Sequence, residues 1–230
     1  MREFIDYIPY LFSDQVLLHS MLISFLLAIV ATSISATLGV FFGLTLEKKN
    51  FRGKPIIIRI NNTLMGMPPV VIGLVVYILL MRRGPLGHLS LLFTFWGMVI
   101  AQVLIITPIV SGMIYSYANK AAPSIRVFAK TMGTSRLQGV KLLLKEMRHE
   151  IYFAIVAGFG RSISEVGAVM IVGGNIAGRT RTMTTAISTL SRQGIFRQGI
   201  VLGITLMVMA FILQSIAANI RKKDIDDENH

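Results

Sequence analysis

Apolar residues recur along this chain in long runs, and polar residues collect in the short segments between them. The first run spans about Val16 to Leu46 and the second about Pro55 to Met81. The third spans about Leu91 to Ala118, the fourth about Ile151 to Gly173 and the fifth about Phe196 to Ile220. Each reaches the roughly 20 residues that an α-helix needs to cross a hydrocarbon layer about 30 Å thick. A helix pairs its own backbone polar groups, which lipid cannot do. The pattern therefore predicts an all-α membrane protein of about five transmembrane helices. Two runs carry prolines. Gly66-Met67-Pro68-Pro69 interrupts the second, which should break or kink there, and Pro108 should kink the third, because proline lacks a backbone donor and crowds the preceding turn. Ahead of the first run, Phe4, Ile5, Ile8, Leu11 and Phe12 recur at helical spacing. Residues 1–15 are thus expected to lie on the membrane face as an amphipathic segment. The first apolar run is longer than the roughly 7–15 residues of a cleaved signal.

The polar segment between the third and fourth runs, residues 119–149, has a pattern of its own. Pro123 suits a first helical turn, and Ile125, Phe128 and Met132 follow at spacings of three and four. Gly133 interrupts. Ser135 with Gln138 three residues later is a capping box that opens a second helix. Its apolar stripe is Leu137, Val140, Leu143 and Leu144, with Lys141, Lys145 and Arg148 on other faces. Two short helices joined at a glycine are expected. Three uses fit them: an interfacial helix on anionic lipid, a handle for a partner protein, or packing beneath the bundle.

Composition agrees with the pattern, since hydrophobic residues make up 53% of the chain. The net charge of +12 would suggest nucleic acid in a soluble protein. Here the basic residues flank apolar runs, which points to topology. Lys48, Lys49, Arg52 and Lys54 fall on one side, with Lys120, Arg126, Lys130, Arg136, Lys141, Lys145, Arg148 and Arg221 to Lys223. That side is read as cytoplasmic, which puts the N-terminus outside and the tail, residues 221–230, inside. There is no cysteine, and His19, His88, His149 and His230 lack ligand spacing, so no metal or cofactor is expected.

The fourth run holds two charges, Arg161 and Glu165. Each costs about 2.5–3.5 kcal/mol at the centre of a spanning helix. Four apart, they share a face, as a structural ion pair or as a gate that changes partner. Ala157, Gly160, Ser164, Gly167 and Ala168 form a small-residue face beside them, suited to close helix packing. The following stretch, residues 173–193, is read as an outer loop rich in glycine, threonine and arginine.

The segment Ala129-Lys-Thr-Met-Gly133-Thr-Ser135-Arg-Leu-Gln-Gly-Val140 resembles the EAA loop of ATP-binding-cassette importer permeases. Val127 and Phe128 stand where that family has Glu and Ala, and Lys145-Glu146 where it has Leu-Pro. Gly66 to Gly73, Arg83 to Gly87 and Gly158 to Ala168 resemble the molybdate, tungstate and sulfate group of those permeases. Lys145 to Arg148, Val172 to Asn175 and Thr180 to Ile187 are similar to its tungstate branch. The resemblance covers about Leu18 to Ile220.

It implies a type I importer permease fold over residues 16–220, working as a homodimer in the cell membrane. Residues 119–149 would be the coupling loop, with Ala129, Gly133, Ser135, Leu137, Gln138 and Val140 meeting a separate cytoplasmic ATPase. An extracytoplasmic binding protein would deliver the oxyanion: tungstate first, then molybdate or sulfate. No G-x-x-x-x-G-K-[ST] occurs in the chain, so the subunit is read as non-catalytic. Gate and pathway candidates are Arg161, Glu165, Gly173, Gly174, Asn175, Arg181, Thr184 and Thr185. Hydroxyls, glycine amides and an arginine suit a tetrahedral dianion, and the same loop suits docking of the binding protein. The competing class is a gradient-driven transporter or channel. Gradient-driven transporters commonly carry internal repeats, and none is visible here.

Overall fold

The computed structural model describes residues 15–226, and every regular element within them is helical. The amphipathic segment expected at the N-terminus falls outside the described residues. Two long helices form the spine: α1 (Gln15–Lys48) and, later in the chain, a helix over Phe95–Thr131. At 1.5 Å per residue they measure about 51 and 56 Å, so both outreach a hydrocarbon layer. They pack tightly because α1 offers small residues to its neighbour. A Cβ at Gly39 would stand 2.7 Å from the Val110 Cβ, and one at Gly43 would stand 2.8 Å from that of Ile114. Only bare backbone fits at this Gly-x-x-x-Gly spacing, and in lipid such close packing drives association. Ala31, Ile106, Val110, Ile114, Ala118 and Ala154 complete this core.

The second apolar run is two helices, α2 (Lys54–Met65) and α3 (Pro69–Leu80), bent by 104°. The bend is too large for a kinked single rod. Pro68 and Pro69 both lack the donor a continuous helix needs, and Asn61 holds α2 against the spine. Its side-chain amide donates to the Pro108 carbonyl at 3.1 Å, and its Oδ1 accepts from Ser111 Oγ at 2.8 Å. After a 3-10 turn at Gly87–Leu89 the chain enters α4 (Phe95–Thr131).

Helix α4 departs from expectation once. It runs through Pro108, and Pro123 lies inside it where a new helix was expected to open. Polar side chains of a neighbouring helix and of α4 itself bond the backbone around Pro108, a common accommodation in lipid. Around Pro123 the buried face continues through Ala118, Ala122 and Ala129, so packing keeps the helix intact across a local breaker. The first of the two expected loop helices is thus the end of α4.

The fourth run is α6 (Arg148–Ile163) followed by α7 (Gly167–Gly173), bent by 59°; α5 (Arg136–Glu146) precedes it. α7 meets α3 backbone to backbone: a Cβ at Gly73 would lie 2.6 Å from the Ala168 Cα. Helices α8 (Met183–Arg192) and α9 (Phe196–Asp226) close the bundle, with Met183 and Ala186 packed among Leu17, Val201 and Leu202. Helices α1 and α4 are each long and apolar enough to cross a membrane. The bent pairs α2–α3 and α6–α7 are apolar enough for two broken spans or two re-entrant segments, and α9 is apolar over Phe196–Ile212. Val70, Leu74 and Ile78 on α3 and Met207 and Phe211 on α9 remain exposed, as suits lipid or a second copy.

Candidate functional site

One end of the bundle is an apolar tip built by local backbone chemistry. Helix α4 stops in a Schellman turn: Thr134 N–H donates to the Ala129 carbonyl at 3.0 Å and Gly133 N–H to that of Lys130 at 3.1 Å. Gly133 has φ 65°, and no atom lies within 4 Å of a Cβ placed there. Its backbone conformation, and not its room, calls for glycine. Ala129 is buried and its carbonyl also accepts from Thr134 Oγ1 at 2.9 Å. The capping box forms as expected, with Gln138 N–H donating to Ser135 Oγ at 3.3 Å and Ser135 N–H to Gln138 Oε1 at 2.7 Å.

The expected stripe on α5 divides. Leu143 is buried beside Met147, while Leu137 is 77% exposed and Val140 37%. With Val127, Phe128 and Met132, also exposed, they make an apolar patch beside Lys130 and Lys141. Apolar residues gathered at a polar surface in this way mark a contact surface for protein or membrane. Val127 entered the sequence reading only as a departure from the EAA pattern. A second missed residue is Glu47, at the end of α1. Its side chain is 6% exposed and pairs with Arg126 at 2.5 Å, and its carbonyl accepts from Lys54 Nζ at 3.2 Å. One acid at the end of an apolar run, among lysines, was the available signal.

The other candidates gather where α6 breaks. Glu165 lies in the joint, 4% exposed, with Arg161 at 3.3 Å and 36% exposed. The Glu165 carboxylate also accepts from Ala168 N–H at 3.1 Å, which caps α7, and its backbone carbonyl accepts from Thr184 Oγ1 at 2.8 Å. The small-residue face splits between neighbours. Gly160 faces Gln214 of α9, Gly167 and Ala168 face α3, and Ser164 is exposed. Against α4 the small residue is instead Gly158, whose Cβ would meet Ile106 at 2.8 Å.

Residues 173–193 form a tight turn and a helix, not an open loop. Gly174 ends α7 with φ 71° under the Phe93 ring. Thr180 Oγ1 donates to the Gly173 carbonyl at 2.5 Å, Asn175 Nδ2 to Thr189 Oγ1 at 2.7 Å and Arg181 Nε to Asn175 Oδ1 at 3.2 Å. Thr182 and Thr185 form a capping box at the start of α8. Thr180, Thr182, Thr184 and Thr185 are all buried. The hydroxyls expected to ring a dianion therefore face inward and bond the protein, because short polar side chains in lipid take the nearest backbone partner. A groove of ≈ 760 Å³ between α1, α2, α3 and α4 is lined mainly by apolar residues such as Leu38, Phe42, Ile72 and Leu104. Its walls offer little to a dianion. Gln102, Ser24 and Ser162, polar and buried at the joint, were missed; their signal was a polar residue inside an apolar run.

Helices broken at two spans, a bare-backbone spine and an apolar tip define a membrane transport subunit, and the chain belongs to the family of binding-protein-dependent transport system inner membrane components, which matches residues 35–223. Among individual proteins it is 40% identical over 194 residues to the tungstate uptake system permease protein TupB of Peptoclostridium acidaminophilum, covering 84% of this chain and 83% of that one. It is 35% identical over 172 residues to the TupB of Campylobacter jejuni, covering 75% and 72%. A bacterial alginate ABC transporter, solved in complex with an alginate pentasaccharide-bound periplasmic protein, has the same fold. Its TM-score is 0.80 at 15% identity, covering 95% of this chain and 82% of that one. The type I importer permease fold and the family resemblance read from the sequence are both borne out.

Proposed function

We propose that this chain is the membrane-spanning subunit of an ATP-driven oxyanion importer whose substrate is tungstate, with molybdate or sulfate as the alternatives. The observation that carries the substrate is the 40% identity to a tungstate uptake permease across 84% of the chain. The subunit works as a homodimer. The large groove between α1, α2, α3 and α4 of one copy is mainly apolar, which supports a pathway between two copies. The tip around Ala129, Gly133, Ser135, Leu137, Gln138 and Val140 docks in a separate ATPase; its exposed apolar face beside lysines supports that contact. The subunit itself hydrolyses nothing.

The basic residues around the tip support a cytoplasmic position for it, with the N-terminus outside. A binding protein meets the opposite end, where α7 turns into α8. Residues 16–220 form the permease domain and 119–149 the coupling segment. Arg161, Glu165, Gly173, Gly174, Asn175, Arg181, Thr184 and Thr185 act together as a hydrogen-bonded gate that tilts as a unit, not as separate ligands of the anion. Reconstitution of the chain with its ATPase and binding protein in liposomes tests the reading. Uptake of labelled tungstate should require ATP inside and binding protein outside, and unlabelled tungstate should compete better than molybdate or sulfate. Uptake driven by an ion gradient without ATP would defeat the proposal.

A further inference from the structure

Where α6 breaks, polar side chains from α1, α4, α6 and the start of α8 meet in the interior of the bundle. Gln102 of α4 is fully buried and Ser162 of α6 is 4% exposed. The Gln102 amide donates to the Ser162 carbonyl at 3.1 Å. That bond sets the amide's orientation and turns Oε1 away from the carbonyl. Neither Gln102 Oε1 nor Ser162 Oγ has a hydrogen-bond partner within the protein. Both residues border one small cavity, which also touches Ser24, Glu165, Thr182 and Thr184. It offers ≈ 10 Å³ to the centre of a water-sized sphere, about the room one water requires.

The remaining walls are already paired. Thr184 Oγ1 bonds the Glu165 carbonyl and lies 3.0 Å from Thr182 Oγ1, and Ser24 Oγ accepts from Met183 N–H at 2.7 Å. Only Gln102 Oε1 and Ser162 Oγ stand unmet at the cavity. An anion is repelled by an amide oxygen beside a carboxylate. A cation finds the Glu165 charge answered by Arg161 at 3.3 Å. Water carries both the donor that Oε1 needs and the acceptor that a hydroxyl needs.

We propose that this cavity is a built site for a single water molecule, which donates to Gln102 Oε1 and accepts from Ser162 Oγ. The water pairs the groups that the break in α6 leaves unmet at the depth of the membrane, where bulk solvent cannot. It also makes the joint a place where α7 can tilt on α6 while polar groups exchange a mobile partner. The inference rests on packing and polarity alone and is independent of the transported substrate.

Thermal unfolding of the full chain in detergent is the test, on Ser162→Ala, Gln102→Met and the double variant, in sodium chloride and in choline chloride. Ser162→Ala should lower Tm by about 2 °C or more, since the water loses a partner. The double variant should lose less than the sum, because water leaves with both partners. The amide bond to the Ser162 carbonyl is lost equally with and without the Ser162 hydroxyl and cancels in that comparison. Tm unchanged or raised in Ser162→Ala would mean a dry cavity holding an unmet hydroxyl and would overturn the site. Additive losses would also overturn it, and so would stabilisation specific to sodium, which would assign the cavity to a cation. A high-resolution map of the unaltered protein gives a readout free of mutation: density within hydrogen-bond distance of both atoms supports the site, and none there refutes it.

Discussion

Glu165 does two physical jobs and Gly133 one, and each job can be tested by separating it from its alternatives. Glu165 both pairs with Arg161 and caps α7 through Ala168 N–H. Arg161 is partly exposed, so water screens the pair and its worth falls well below that of a fully buried one. The cap is the sharper contribution. Glu165→Gln keeps an acceptor for Ala168, while Glu165→Ala keeps none, and the loss of a cap costs about 1 kcal/mol. Thermal unfolding should therefore rank the native chain above Glu165→Gln, and Glu165→Gln above Glu165→Ala. Equal melting of the two variants would remove the capping role. At Gly133 the cost is conformational, about 1–2 kcal/mol for a residue with Cβ held left-handed. Gly133→Val should insert normally but transport less tungstate per ATP hydrolysed in the reconstituted system. Gly133→Asn, which tolerates that conformation, should recover most of the coupling. If Val and Asn behave alike, the sign of φ is not what matters there.

Among the elements, the contact of α1 with α4 decides both assembly and the posture of the tip. Gly39 and Gly43 let the two backbones touch. Gly43→Leu should push them apart and abolish a monodisperse elution profile, with Gly43→Ala intermediate; a normal profile for the leucine variant would mean that the spine has slack. At the end of the same contact, Glu47 ties α1 to the last turns of α4 through Arg126. Arg126→Ala strands a nearly buried carboxylate, which is worse than losing the pair outright. Transport per ATP should fall in Arg126→Ala and return in part in the exchange Glu47→Arg with Arg126→Glu. Failure of the exchange to restore anything, with both proteins folded, would show that the pair does not hold the tip.

For the whole molecule, selective capture and translocation fall to different parts of the proposed system. The threonines and Asn175, expected to face a dianion, are spent on the protein's own backbone and side chains. Tight capture needs several convergent donors in a desolvated pocket, and the described residues of one copy offer no such set. The purified chain without its binding protein should bind tungstate more weakly than about 10 μM, or roughly −7 kcal/mol. Titration calorimetry checks this directly, and stoichiometric nanomolar binding would place the selective site in this subunit.

The sequence by itself determined the helical class, the apolar runs, the capping box at Ser135 and the glycine break at 133. These depend on spacing and backbone sterics within a few residues, which the order of residues records. It also carried the family, through the resemblance of residues 129–140 and the other matching segments. The tertiary structure decided the rest. Whether Pro123 opens a helix or sits inside one depends on the alanine face that α4 buries around it. Whether the threonines after Gly174 face solvent or the interior depends on how α8 packs against α1 and α9. How far Pro68 and Pro69 turn the chain is a matter of packing, with α2 held by Asn61 to Pro108, 47 residues away, and the turn reaching 104°. Such partners meet only when the chain is folded, since a buried polar group takes the donor or acceptor that packing brings to it, and no local pattern names that partner.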